Sequence, residues 1–180
     1  MDDRAAAIVQ FWREAGPDKW FQGGPEFDER CREHLLEPHM AAARGELADW
    51  NRDADTALAL VLLLDQAPRN IFRGSAHAYA TDPMARSVAI RAVGHGFDMQ
   101  VDPELRTFFY LPFMHSEDPV DQQRSVELYQ SMTSPGADKW ALHHQGIIER
   151  FGRFPHRNPL FGRASTPAEQ AWLEEGGFGS

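Results

Sequence analysis

Cysteine occurs once in this 180-residue sequence, at Cys31, and lysine occurs only at Lys19 and Lys139. A single cysteine excludes an intrachain disulfide and a zinc site built from several thiolates. We interpret Cys31 as a small core residue rather than a nucleophile. Because lysine is scarce, arginine carries nearly all of the positive charge, and its planar guanidinium holds carboxylate or phosphate through two parallel hydrogen bonds.

Long hydrophobic runs are also missing. The longest, ALALVLLL at residues 57–64, is far shorter than the roughly twenty residues that cross a bilayer. The first residues, MDDRAAAIVQFW, carry acids where a secretory signal carries basic side chains. We therefore predict a soluble, cytoplasmic protein that binds no membrane.

Positive charge is concentrated in one stretch of an acidic chain. The net charge is −9, which argues against a general affinity for nucleic acid. The segment RFGRFPHRNPLFGR, residues 150–163, contains four arginines and no acid, so the rest of the chain carries −13. A local cluster of this kind suits a small anion or an internal network of ion pairs.

Helix-start signals recur along the chain. A capping side chain or acid followed by proline occurs at Asp82, Asp102, Asp118 and Thr166, and Glu169 can complete a capping box with Thr166. Apolar residues between these points recur at helical spacing, and only TFFYLPF alternates like a strand. We predict an all-α protein of about eight helices in a single domain, residues 1–180, with a small added hairpin as the alternative.

The segment from Asp53 to Gln66 is apolar around most of its helical circumference, which predicts a central helix that ends before Pro68. Asp65, in its last turn, opposes the negative end of the helix dipole and needs a cation. Arg69 and Arg73 are the nearest candidates.

Two corners of the chain resemble each other. APRNIFRG at residues 67–74 and PHRNPLFGR at residues 155–163 both contain Arg-Asn followed by phenylalanine, glycine and a second arginine. If helix pairs stack as repeats, these corners occupy equivalent positions, and their arginines then face one cavity. Chance similarity is the alternative.

Four strings resemble, in order, the bacterial proteins of unknown function grouped as domain of unknown function 924. They are LLLDQAPRNIFRG, FFYLPFMHSED, HHQGIIERFGRFPHRN and GRASTPAEQAWL, and the likeness runs from Val9 to Leu173. The resemblance implies antiparallel helix pairs stacked as a tetratricopeptide-like compact superhelix, and it implies no activity. Ala67 stands where the family pattern has an aromatic residue, and Gly146 where it has a polar one.

The family pattern covers most of the polar residues in these strings. They are Asp65, Gln66, Arg69, Asn70, Arg73, His115, Ser116, Glu117, His144, Arg150, Arg153, His156, Arg157, Asn158 and Arg163. One hypothesis is a cleft that binds a small anionic molecule, phosphate or carboxylate; in its extended form the protein is a hydrolase that acts on this ligand. In this hypothesis His115, Glu117 and His156 supply acid–base chemistry.

The remaining candidates of this hypothesis bind the ligand. They are Asp65, Arg69, Asn70, Arg73, His144, Arg150, Arg153, Arg157, Asn158 and Arg163. We predict no metal, because no histidine pair has the one-turn spacing of a helical metal site and nearby arginines repel a cation. We predict no cofactor either.

A second hypothesis is a helical interaction module that binds an acidic peptide or protein terminus. The arginines are then a carboxylate clamp, or they are structural and pair with acids such as Asp65 and Glu117. An enzyme needs its histidines as well as its arginines, whereas a binding module needs only the positive charge. The sequence leaves the oligomeric state open.

Overall fold

The computed structural model describes residues 2–177; Met1 and residues 178–180 of the predicted 1–180 domain lie outside the described residues. Within residues 2–177 there is no strand, which confirms the all-α prediction. TFFYLPF lies in a helix, so the hairpin alternative is wrong. No helix in this range is long and apolar enough to span a membrane.

Eight of the α-helices in the described chain have eight or more residues, which is the number expected. The α-helices are α1 (Asp3–Ala15), α2 (Pro17–Gln22), α3 (Pro25–Ala43), α4 (Ala54–Val61), α5 (Ala67–Ile71), α6 (Asp82–Gly94), α7 (Thr107–Met114), α8 (Pro119–Gln130), α9 (Lys139–Phe151) and α10 (Pro167–Glu174). Short 3₁₀ turns, such as Ala48–Arg52 and Pro155–Arg157, occupy several of the connections.

The chain forms two compact units, one within residues 2–112 and one within residues 113–177. In the first unit α1 packs against α4, α3 against α5, and α4 against α6. In the second unit α8 packs against α9. The single domain and the tetratricopeptide-like stacking of helix pairs stay predictions.

Three of the four predicted helix starts are confirmed, and in two of them the predicted side chain caps the helix. The Asp118 carboxylate accepts the Val120 N–H at 2.8 Å, and Thr166 forms a full capping box with Glu169. α6 begins at Asp82 as predicted, but the Asp82 side chain accepts from Arg69 and does not cap the helix. Asp102 accepts the Glu104 N–H in a turn, and α7 begins five residues after Asp102.

The central helix was predicted to end before Pro68, and this prediction is wrong. α4 continues into α5 through a π-helical turn, Leu62–Gln66. The Ala67 N–H donates to the carbonyl of Leu62, five residues earlier. A π turn inserts one extra residue into the helix, and proline has no N–H to give to the preceding turn. The wide turn therefore allows the helix to continue through Pro68. The regular pattern of backbone hydrogen bonds is interrupted there.

Side chains bond to four consecutive carbonyls of this stretch. His39 Nδ1 bonds to Leu63 O (2.8 Å), Thr81 Oγ1 to Leu64 O (2.6 Å), Arg69 Nη1 to Asp65 O (2.5 Å) and Asn70 Nδ2 to Gln66 O (3.1 Å). Because a carbonyl only accepts, Nδ1 of His39 carries the proton. Burial lowers the pKa of His39, so the ring is neutral at pH 7. The string LLLDQAPRN thus forms a helix in whose irregular part the backbone carbonyls accept hydrogen bonds from side chains.

Thr81→Val is expected to lower the free energy of unfolding by about 1 to 3 kcal/mol, because it removes the donor to the buried Leu64 carbonyl. Equilibrium unfolding in urea measures this difference. Thr133→Val, at an exposed loop position, is the matched control and should change stability by about 0.5 kcal/mol or less.

The same measurement in a Pro68→Ala background tests whether the missing N–H of Pro68 is the reason why the Leu64 carbonyl needs Thr81 as a donor. Alanine restores a backbone N–H next to the π turn, so Thr81→Val should cost less there than in the wild type. An equal cost in both backgrounds would mean that the missing N–H of Pro68 does not create the need for Thr81.

Candidate functional site

Asp65 and Arg69 form a buried ion pair in the first unit. The Asp65 side chain is almost fully buried and accepts a hydrogen bond from Gln66 Nε2 at 2.6 Å. Arg69 Nη1 lies 3.4 Å from the Asp65 carboxylate, and the guanidinium donates two bonds to Asp82 at 2.8 and 2.9 Å. Burial alone would lower the pKa of Arg69, but the carboxylates of Asp65 and Asp82 raise it. Arg69 is therefore the cation that Asp65 was predicted to need.

Arg73 pairs with a different acid from the one predicted. Its guanidinium donates to both oxygens of Asp28 at 2.7 and 2.8 Å and to Asn70 Oδ1 at 3.1 Å. Asp28 lies on α3, which packs against α5, so it is placed next to the end of that helix. The predicted residues Asp65, Arg69, Asn70 and Arg73 thus lie together in one corner, held by acids of α3 and α6.

In the second unit Arg153 fastens the loop that follows α9. It donates to both carboxylate oxygens of Glu169 at 2.6 and 2.8 Å and to the Ala164 carbonyl at 2.9 Å. Glu169 is 2% exposed and also accepts the Thr166 N–H of its capping box. Gly152 allows the turn before Arg153, because its φ of +68° is unfavourable for other residues. The partner of Arg153 is therefore Glu169, not the predicted Asp65 or Glu117.

Glu117 pairs with Arg163. The guanidinium donates to both oxygens of Glu117 at 2.8 and 2.9 Å and to the Phe154 carbonyl at 3.2 Å, while the Phe154 N–H donates to Glu117 at 2.8 Å. Burial would raise the pKa of Glu117, but Arg163 and the Phe154 N–H lower it overall. Glu117 is therefore ionised at neutral pH and fixes the position of the loop.

The two corners that resemble each other in sequence also share local chemistry. Arg163 Nε donates to Asn158 Oδ1 at 2.9 Å, as Arg73 does to Asn70. In each corner this arginine also donates two hydrogen bonds to a carboxylate outside the corner: Arg73 to Asp28, and Arg163 to Glu117. The sequence echo therefore marks a repeated asparagine, arginine and carboxylate arrangement.

Three polar side chains surround the buried ring of Phe154, and with His115 they form what we call the Phe154 cluster. The ring centroids of His144 and His156 lie 5.6 and 5.7 Å from that of Phe154, and the Arg157 guanidinium lies 4.5 Å from it. The His115 ring lies 6.5 Å from that of His144. His115 and His156 are partly exposed, whereas His144 and Arg157 are buried.

Two imidazoles of the cluster, those of His144 and His156, are neutral. Burial, with a smaller contribution from His115, lowers the pKa of His144 to about 3. Burial and then Arg157 lower the pKa of His156 to about 4. Both rings therefore hold one proton at pH 7. In His144 that proton is on Nδ1, which donates to the Trp140 carbonyl at 2.7 Å, so the other ring nitrogen is an acceptor. The neutral His156 ring has one N–H donor and one acceptor nitrogen.

The remaining predicted residue, Arg150, is exposed and lies over the Phe151 ring at 4.7 Å. Among residues 2–177, no three histidine, cysteine, aspartate or glutamate side chains gather as metal ligands. Cys31 is buried, and burial raises the pKa of its thiol to about 12.

Sequence reasoning missed His39 and Thr81 as partners of the helix carbonyls and Asp28 as the partner of Arg73. Pro68 inside an apolar helical string was the available signal for the first two, because a helix that passes a proline needs other donors. No local signal pointed to Asp28, which is 45 positions from Arg73.

The fold and these clusters define a class of all-α protein whose loops are fastened by arginine–carboxylate pairs. The chain belongs to the family described as bacterial protein of unknown function (DUF924), whose model matches residues 8–177. It is similar to the solved structure of ATU0120, a protein of unknown function from Agrobacterium tumefaciens, at 52% identity and a TM-score of 0.92, over 96% of this chain and 97% of that one. The chain has no significant match among curated proteins.

Proposed function

We propose that the protein binds a small anion at the Phe154 cluster, with His115, His156 and Arg157 as the groups that contact it. The observation that carries the proposal is the gathering of two neutral imidazoles and a guanidinium around one phenylalanine ring. A guanidinium and imidazole N–H groups are suitable donors to phosphate or carboxylate.

The electrostatics of the cluster favour a negative guest. Arg157 contributes to the low pKa of both His144 and His156, and at His156 its effect is larger than the opposite effect of the Glu117 carboxylate. Arg157 therefore exerts a positive potential on the two rings. An anion placed in that potential is stabilised, and it in turn makes protonation of a neighbouring imidazole easier. His115 and His156 are partly exposed, which gives the anion access from solvent.

Binding is better supported than hydrolysis. A general base works best with a pKa near the operating pH, and a pKa of about 4 makes His156 a weak base at pH 7. Glu117 is occupied by Arg163 and the Phe154 N–H, so it is a poor proton donor. The arginines of the other pairs, Arg69, Arg73 and Arg153, act in this proposal by holding the fold.

Phosphate at about 100 times its dissociation constant is expected to stabilise the protein by about 2.7 kcal/mol, or by roughly 5 °C or more in Tm. Thermal unfolding at pH 7 and constant ionic strength measures the shift. His156→Gln should lose most of it, because glutamine cannot replace the imidazole geometry beside Arg157.

Arg150→Gln is the matched control, because Arg150 lies in the same stretch but is exposed and outside the cluster. It should keep the full phosphate shift. An equal shift in wild type and His156→Gln would contradict the proposal, and it would indicate a general effect of phosphate on protein hydration.

A second candidate is the helical interaction module. It is supported by a groove of about 530 Å³ in the first unit, whose floor includes Ile8 and Leu35. The rim carries Arg4 and Arg44 but also Glu37 and Glu46, so an acidic peptide finds little charge complementarity there. Stabilisation by an acidic peptide, with none by phosphate, would favour this candidate.

A further inference from the structure

A separate pocket of about 360 Å³ lies in the second unit, between the start of α9 and the end of α10. Its walls are Lys139, Trp140 and His143 on one side and Trp172, Glu175 and the backbone of Gly176 and Gly177 on the other. The volume is in the range of small-molecule sites. None of these residues belongs to the Phe154 cluster, so the inference does not depend on the proposed function.

Two indole rings give the pocket aromatic walls. Trp140 is 57% exposed, which is unusual for a tryptophan, and the His143 ring packs against it edge-on at 5.6 Å. Trp172 is fixed from behind by Phe151, with ring centroids 5.4 Å apart. Tryptophan faces attract cations, and quaternary ammonium groups are recognised by aromatic walls of this kind.

The glycine turn keeps the Trp172 side of the pocket open. The Gly177 N–H donates to the Trp172 carbonyl at 2.9 Å, which folds the chain back over the indole. A Cβ atom at Gly177 would lie 3.1 Å from the Trp172 ring, so a larger residue would press on the wall. The same turn holds Glu175 at the pocket edge.

The pocket also carries one charge of each sign. Within residues 2–177, neither Lys139 nor Glu175 makes a salt bridge or a side-chain hydrogen bond. A simple cation would be attracted by Glu175 and repelled by Lys139. A simple anion would be attracted by Lys139 and repelled by Glu175. A ligand with both charges matches the two side chains at once.

We propose that this pocket binds a small zwitterion with a methylated or quaternary ammonium at one end and a carboxylate at the other. The ammonium end lies against Trp140 and Trp172 beside Glu175, and the carboxylate end faces Lys139. Neither end alone satisfies the pocket, so both are required for binding.

Isothermal titration calorimetry with trimethylglycine, tetramethylammonium and acetate tests the proposal, together with NMR of the tryptophan indole N–H signals. Trimethylglycine should bind at least tenfold more tightly than either single-charge probe, and it should shift the Trp140 and Trp172 signals. Equal affinity for tetramethylammonium would reject the zwitterion in favour of a plain cation site. Absence of any heat and of any indole shift at millimolar concentrations would reject the pocket.

Two variants assign the contacts. Trp140→Leu and Glu175→Gln should each weaken trimethylglycine binding by about tenfold. Glu175 is exposed, so Glu175→Gln decides the question if Trp140→Leu lowers stability. Glu174→Gln, next in sequence but outside the pocket, should leave the affinity unchanged. Unchanged affinity in Glu175→Gln would overturn the proposal.

Discussion

Arg69→Met is expected to lower the free energy of unfolding by about 3 to 5 kcal/mol, because one guanidinium serves two carboxylates and a carbonyl. Arg69 pairs with Asp65, whose side chain is 1% exposed, and with Asp82. Removing one partner of a buried ion pair leaves the opposite charge in a medium that solvates it poorly. Urea unfolding followed by circular dichroism measures the loss.

Arg52→Met is the matched control for Arg69→Met. Arg52 pairs with Asp49, but both side chains are largely exposed, at 75% and 81%. Exposed pairs contribute about 0 to 1 kcal/mol, so this variant should unfold almost as the wild type does. A loss below about 1 kcal/mol for Arg69→Met as well would mean that the buried pair is not structural.

Glu169→Gln is expected to cost about 2 to 3 kcal/mol at pH 7. This cost is smaller than for a fully buried pair, because the Arg153 side chain is 27% exposed to solvent. The substitution keeps the size of the side chain but removes the charge that Arg153 and the Thr166 N–H share. Chemical denaturation at a series of pH values measures the difference from the wild type.

The pH dependence of that difference follows from the carboxyl group. Hydrogen bonding by Arg153, the largest cause, lowers the pKa of Glu169 from 4.5 to about 2. A lowered pKa in the folded state means that the stabilisation is complete above about pH 4.5 and is lost as the pH falls toward 2. The wild-type advantage over Glu169→Gln should therefore shrink through this window.

Glu127→Gln controls for the loss of a glutamate charge in the same unit. Glu127 pairs with Arg124 three residues earlier, and both side chains are about half exposed. Its effect should stay below about 0.5 kcal/mol at every pH. A Glu169→Gln difference that does not change between pH 7 and pH 3 would contradict the role given to the ion pair.

Helical periodicity and capping signals predicted the all-α class and the buried central helix, since both depend on residues close in the sequence. They placed the helix start at Thr166 correctly, because the capping box is a local motif. They failed at Pro68, where a π turn and donors from distant segments carry the helix past the proline. Sequence patterns close to Pro68 do not reveal those donors, because His39 and Thr81 are distant from it in the sequence.

The ion pairs show the same limit. Asp65 was correctly expected to bind Arg69, four residues away on one helix face. Arg73 and Arg153 were matched to the wrong acids, because Asp28 and Glu169 lie in other helices and only the packing of the unit brings them near. The structure explains part of the excess of arginine in residues 150–163. Arg153 forms an ion pair with Glu169 and Arg163 with Glu117, while Arg157 lies in the Phe154 cluster.

The most direct test of anion binding at the Phe154 cluster is an NMR pH titration of His156 in sulfate and in chloride at equal ionic strength. Sulfate keeps its charge throughout, so only the protein titrates. If sulfate binds at the cluster, it should raise the pKa of His156 from about 4 by one unit or more, because the bound anion offsets the positive charge of Arg157. The same pKa in both salts would contradict anion binding at the cluster.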